Sequence, residues 1–96
     1  MTNLIPDINL KSVINQYLSR PEDTDITKSD LESINGYICS DISSMGKYIC
    51  NIEGLQYAIN MHQLLIENNL ITSMENLINL DKLNTLFINK IFHASY

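Results

Sequence analysis

The chain has 96 residues, enough for one domain that buries its own core. Hydrophobic residues make up 45% of it, the formal charge is -5 and the isoelectric point is near 4.7. That acidity argues against direct binding of a nucleic-acid backbone, which needs a basic face, and no run approaches the roughly 18 apolar residues of a membrane span. The N-terminal MTNLIPDINLKSV is interrupted by Pro6, Asp7 and Lys11, so no signal peptide is expected and the chain is expected to be cytoplasmic. Cys39 and Cys50 form no C-x-x-C pair and read as reduced, partly buried thiols.

Residues 7–19 predict an amphipathic helix. Leu10, Val13, Ile14, Tyr17 and Leu18 recur at helical spacing on one face, while Lys11, Asn15 and Gln16 fall elsewhere on the cylinder. Pro6 and Asp7 suit its start, and Pro21 should stop it, because the residue before a proline is pushed out of helical conformation. A polar turn follows at 20–26. Thr27-Lys-Ser-Asp30 then forms a capping-box pattern that should open a short helix carrying Leu31 and Ile34, with Gly36 as its terminator. Residues 1–36 thus read as a helical cap, and 37–96 as what it covers. Glu22, Asp23, Asp25, Asp30 and Glu32 crowd into this first third, either as a solvated face or as a contact for a basic partner.

Beyond Tyr37 a different pattern takes over. Leu55, Ala58, Met61, Leu64 and Ile66 are matched 22 residues later by Leu77, Leu80, Leu83, Leu86 and Ile88. A period of about 20–29 residues with an L-x-x-L-x-L core is the signature of a leucine-rich repeat, one strand and one return segment per coil. Strands are expected at Gln63–Glu67 and Thr85–Asn89, with Ile71, Met74, Leu77 and Leu80 buried in the return segment. Stepping 22 residues back from Leu64, Ile71 and Met74 reaches Ile42, Ile49 and Ile52, an atypical first coil beside the cap.

These residues resemble a known family. IPDINLKSVINQYL from Ile5, DITKSDL at 25–31 and IEGLQYAINMHQLLIENNLIT at 52–72 are similar to the N-terminal cap and first repeats of internalin-type bacterial leucine-rich repeat proteins. The resemblance implies an α/β fold: a short solenoid with an N-terminal α-helical cap and a small parallel sheet. It also implies a binding role. In that family a repeat asparagine bonds the neighbouring backbone. Asn69 occupies that place, but Lys47 and Ile91 occupy the flanking ones, so no asparagine ladder can run through the chain. The segment 34–48 is about five residues longer than the family pattern.

In alternating strands Leu64, Ile66, Leu86 and Ile88 point inward, and Gln63, Leu65, Glu67, Thr85, Phe87 and Asn89 face the concave side. Leu65 beside Phe87 would be an apolar patch rimmed by polar groups, a common mark of a binding site. The alternative is that Phe87 or the C-terminal residues fold over the last coil. Met45 and Tyr48 are candidates for the same side one coil earlier, or for the core.

No G-x-S-x-G, H-E-x-x-H or glycine-rich phosphate loop is present, and His62 and His93 stand apart from any metal-ligand spacing. No catalytic residue, metal site or cofactor is expected. The leading expectation is a non-enzymatic module that binds a partner protein through the concave strand face. A second is a small acidic stand-alone inhibitor of phage or mobile-element type, anti-CRISPR-like, with Glu22, Asp23 and Asp25 meeting a basic groove on a nucleic-acid-handling host enzyme. A third is a self-associating structural fragment, homodimeric through the open C-terminal repeat edge.

Overall fold

A computed structural model describes residues 4–39 and 45–89. Helix α1 spans Ile8–Tyr17 and helix α2 spans Lys28–Glu32. Strands β1 (Tyr37–Cys39), β2 (Gln63–Asn69) and β3 (Thr85–Asn89) form a parallel sheet in that order. Short 3-10 turns at Leu55–Tyr57 and Glu75–Leu77 precede β2 and β3. Among the described residues no helix is long and apolar enough to cross a membrane.

Asp7 starts α1 and fastens it. One carboxylate oxygen accepts from Asn9 N and Leu10 N at 3.0 and 3.1 Å, supplying donors that a helix start otherwise leaves orphaned. The other accepts from Cys50 N and Asn51 N at 2.8 and 3.1 Å, tying the helix to a segment more than forty positions away. The helix ends with Leu18 as its C-cap, before Pro21 is reached, and Ser19 takes a left-handed conformation.

Leu10, Val13 and Ile14 are buried as their spacing requires. Two assignments on this helix change. Tyr17 is exposed, and Asn15, placed by periodicity outside the apolar face, is fully buried. Its amide nitrogen donates to the carbonyls of Glu22 and Thr24, and its oxygen accepts from Arg20 Nε and Nη2. Those four bonds shape the polar turn, which is why an amide can sit there at no desolvation loss.

The capping box at α2 forms in both directions. Thr27 Oγ1 accepts from Asp30 N, and Asp30 Oδ2 accepts from Thr27 N. Asp30 also pairs with Arg20 at 3.1 Å. The Thr27 backbone N–H, and then the Arg20 side chain, hold the Asp30 carboxyl below its ordinary range against the opposing effect of burial. The helix stops at Ser33, whose N–H bonds back to Asp30 and Ser29. Gly36 therefore does not end the helix. Its carbonyl instead accepts from His62 N and Gln63 N, joining the entry of β1 to the entry of β2.

One continuous core runs from Leu10 and Ile14 through Leu31 and Ile38 to Leu55, Met61 and Leu64. Gly54 permits close packing at its edge: φ is +104°, and a Cβ there would collide with the Leu4 carbonyl oxygen and Ile5 Cδ1. The 22-residue frame holds between β2 and β3, where Leu64 pairs with Leu86. It fails one strand earlier. Leu64 pairs with Ile38, 26 positions back, and not with Ile42, which lies outside the described residues. Ile49 and Ile52 are buried as the frame requires, so the four additional residues fall between β1 and Ile49. Met74 also departs from its expected place. It is 45% exposed at the start of the second 3-10 turn, while Ile71, Leu77 and Leu80 are buried.

Candidate functional site

The sheet carries the residues that the repeat pattern singles out. Strand alternation sends Ile38 and Leu64 into the core, so their strand neighbours project from the other face. The register then sets Tyr37, Gln63 and Thr85 in one row and Cys39, Leu65 and Phe87 in the next. Tyr37 is 56% exposed, Cys39 is exposed, and Gln63, Leu65 and Thr85 are half-buried. The side chains of Glu67, Phe87 and Asn89 lie outside the described residues. Their backbone belongs to β2 and β3, with Phe87 opposite Leu65 and Asn89 opposite Asn69 beyond a register irregularity.

Tyr37 and Cys39 were not among the expected members of this face. Met45 and Tyr48 were the candidates one coil earlier, for this face or for the core. Both are exposed, but they lie in the connection after β1, where the Tyr48 carbonyl accepts from Asn9 Nδ2 of helix α1. The alternating Tyr37-Ile38-Cys39 after an Asn-Gly pair was the available signal. Cys39 and Cys50 are free thiols, and both are exposed where partial burial was expected.

The expected core position Leu86 is also changed. It keeps its register with Leu64 but is 37% exposed. Beside β1, a cleft of about 360 Å³ opens between the strand and helix α1, lined by Val13, Gln16, Tyr17, Tyr37 and Cys39 among others.

The acidic candidates sit elsewhere, in the turn between α1 and α2. Asp25 pairs with Lys11 Nζ at 3.0 Å, and Glu22 accepts from Ser12 Oγ at 3.3 Å. Of the three, Asp23 alone has no such partner among the described residues. Glu22 and Asp23 line a shallow cleft with Ile8, Lys11, Pro21 and Lys47.

Polar side-chain bonds tie successive coils together. Asn69 Oδ1 accepts from Ile49 N at 2.8 Å and Asn69 Nδ2 donates to the Ile66 carbonyl, the backbone bonding that the resemblance implies for this position. Asn76 Nδ2 donates to Glu53 and Gln56, and Lys82 Nζ donates to Asn60 Oδ1. The Gln56 amide, and then Asn76, hold the Glu53 carboxyl below its ordinary range. Among the described residues no group of three or more His, Cys, Asp or Glu could hold a metal ion.

The chain resembles several solved structures. Over 95% of its length it is 31% identical, with a TM-score of 0.75, to an internalin (inlF) from Listeria monocytogenes str. 4b F2365, of which it covers 26%. Over 90% of its length it is 26% identical, with a TM-score of 0.71, to internalin C2 from the same strain, of which it covers 37%. A structure of the CBM51-2 and INT domains of Clostridium perfringens ZmpB matches over 85% at 29% identity and a TM-score of 0.70, and 16% of that chain is covered. The chain therefore spans well under half the length of each. No protein-family model and no curated protein matches it.

Proposed function

We infer that this chain, which has the internalin-type leucine-rich-repeat fold, is a non-enzymatic protein-interaction module whose N-terminal helices cap its repeats. Its partner is another protein, met on the outward strand face. The observation that carries this reading is the parallel register, which sets Leu65 level with Phe87 and with Cys39, in the row next to Tyr37, Gln63 and Thr85. Glu67 and Asn89 continue the same strands. An aromatic and aliphatic strip with polar neighbours suits an apolar anchor on the partner, where a few central contacts supply most of the affinity.

The immobilised chain should capture a protein from native lysate. Leu65→Ser with Phe87→Ser should abolish capture while the far-ultraviolet spectrum stays unchanged. Ile78→Ser, which alters an exposed apolar residue of the return segment, should not. Retained capture by the double variant removes the site assignment.

Self-association through the β3 side is a second reading, favoured by the exposure of Leu86. A solution mass independent of concentration removes it. The acidic-inhibitor reading has less support, because Glu22 and Asp25 already bind Ser12 and Lys11.

A further inference from the structure

Asn35 is the one asparagine in this chain that is followed by glycine. A side chain on the following residue hinders its backbone nitrogen from reaching the asparagine carboxamide, and glycine has none. Asn35 is exposed in the connection from α2 to β1. Apart from its chain neighbours, nothing lies within 4 Å of where a Gly36 Cβ would stand. The peptide between the two residues is also polarised. His62 Nδ1 lies 2.9 Å from the Asn35 carbonyl oxygen. A carbonyl oxygen only accepts, so Nδ1 carries the proton and donates. A donor on that oxygen stabilises the anion left when Gly36 N–H loses its proton, and so raises the fraction of Gly36 N present in the deprotonated form that attacks.

We propose that Asn35-Gly36 is a covalent self-modification site, where Asn35 converts to aspartate and isoaspartate through a cyclic imide. Gly36 N attacks Asn35 Cγ and a new N–Cγ bond forms. The Cγ–Nδ2 bond breaks, and Nδ2 leaves as ammonia with the proton that Gly36 N gives up. Water then opens the ring. Hydrolysis at Cγ yields aspartate, and hydrolysis at the main-chain carbonyl yields isoaspartate, whose backbone runs through the former side chain. Water is the only co-reactant.

The position gives the change a structural consequence. The Gly36 carbonyl accepts from His62 N and Gln63 N at 2.8 and 3.2 Å. Isoaspartate inserts a methylene into the main chain before Gly36 and turns the Asn35 carbonyl, which faces His62 Nδ1, into a free carboxylate. The pairing of Tyr37 with Gln63 loosens as a result, at the β1 end of the strand face.

The test ages the full chain in warm neutral buffer and follows it by peptide mapping with an isoaspartate assay. Residue 35 should convert several-fold faster than any other asparagine, and Gly36→Ala should suppress it. His62→Ala should slow conversion several-fold in the folded chain but leave the rate in urea unchanged. In aged protein, amide exchange at His62 and Gln63 should quicken several-fold. An Asn35 that stays intact, or that reacts no faster than the other asparagines, overturns the proposal. A folded His62→Ala chain that reacts at the wild-type rate overturns the part given to the imidazole.

Discussion

The two repeat copies have nearly the same apolar pattern and different burial. Leu55, Ala58, Met61 and Leu64 of the first are fully enclosed. Their counterparts are looser in the second, most of all towards β3: Leu77 and Leu80 are 7% and 6% exposed, Leu83 is half-buried, and Leu86 reaches 37%. The cause is the neighbours. Strand β2 is paired on both sides, and the turn Leu55–Tyr57 is contacted by α2 and by the turn Glu75–Leu77. Among the described residues, β3 is paired on one side only. In a stacked fold an inward position becomes a core position only when a repeat lies on each side of it.

The sharpest way to break this comparison is to truncate matched leucines. Leu64→Ala should cost about 2–5 kcal/mol, the range for a buried leucine that leaves a cavity. Leu86→Ala should cost less, about 1–2 kcal/mol, because part of the residue already meets solvent and its truncation encloses no cavity. Urea unfolding midpoints decide it, and equal losses would mean that β3 is enclosed as well as β2.

A smaller effect sharpens it through the bonds that fasten the first copy. Asn69→Ala leaves the buried Ile49 N–H without the amide oxygen it donates to, at about 1–3 kcal/mol. Asp7→Ala removes the acceptor shared by four backbone N–H groups and should cost about 1–2 kcal/mol, as for a lost helix cap. Amide exchange should quicken around Ile49 in the first variant and at Cys50 and Asn51 in the second. Unchanged protection would show that packing alone holds these segments.

The smallest effect is on acid sensitivity. The Asp30 carboxyl lies below its ordinary value in the folded chain, mainly through the Thr27 N–H and then Arg20. On acidification the unfolded chain takes up that proton first. The stabilisation is therefore complete above the ordinary aspartate value of about 3.9 and is lost as pH falls through it to the lowered folded value. The thermal midpoint of wild type should exceed that of Asp30→Asn near neutrality, and the gap should close in acid. A constant gap would remove Asp30 as the acid-sensitive group at the helix end that supports the first copy.

The strand register under the candidate face was legible in the chain. The 22-residue match between Leu64 and Leu86 carries the pairing of Leu65 with Phe87, because strand alternation follows directly from the repeat. Tyr37 and Cys39 were not legible by the same route. Four residues inserted after β1 move the first strand out of frame, and a fixed step back lands on Ile42. An insertion between a strand and its return segment is carried by the loop, which leaves no periodic mark.

Local chemistry is what the sequence determined by itself. Asp7 and the Thr27–Asp30 box start the helices where they were expected, since a cap is a bond between near neighbours. The repeat period and the inward set of β2 follow from side-chain alternation. Tertiary structure alone decided that Ile38 is the partner of Leu64, that Asn15 is buried with all its bonds made, and that Met74 and Leu86 meet solvent. Each of these depends on which segment comes to lie alongside, and no spacing within one segment encodes that.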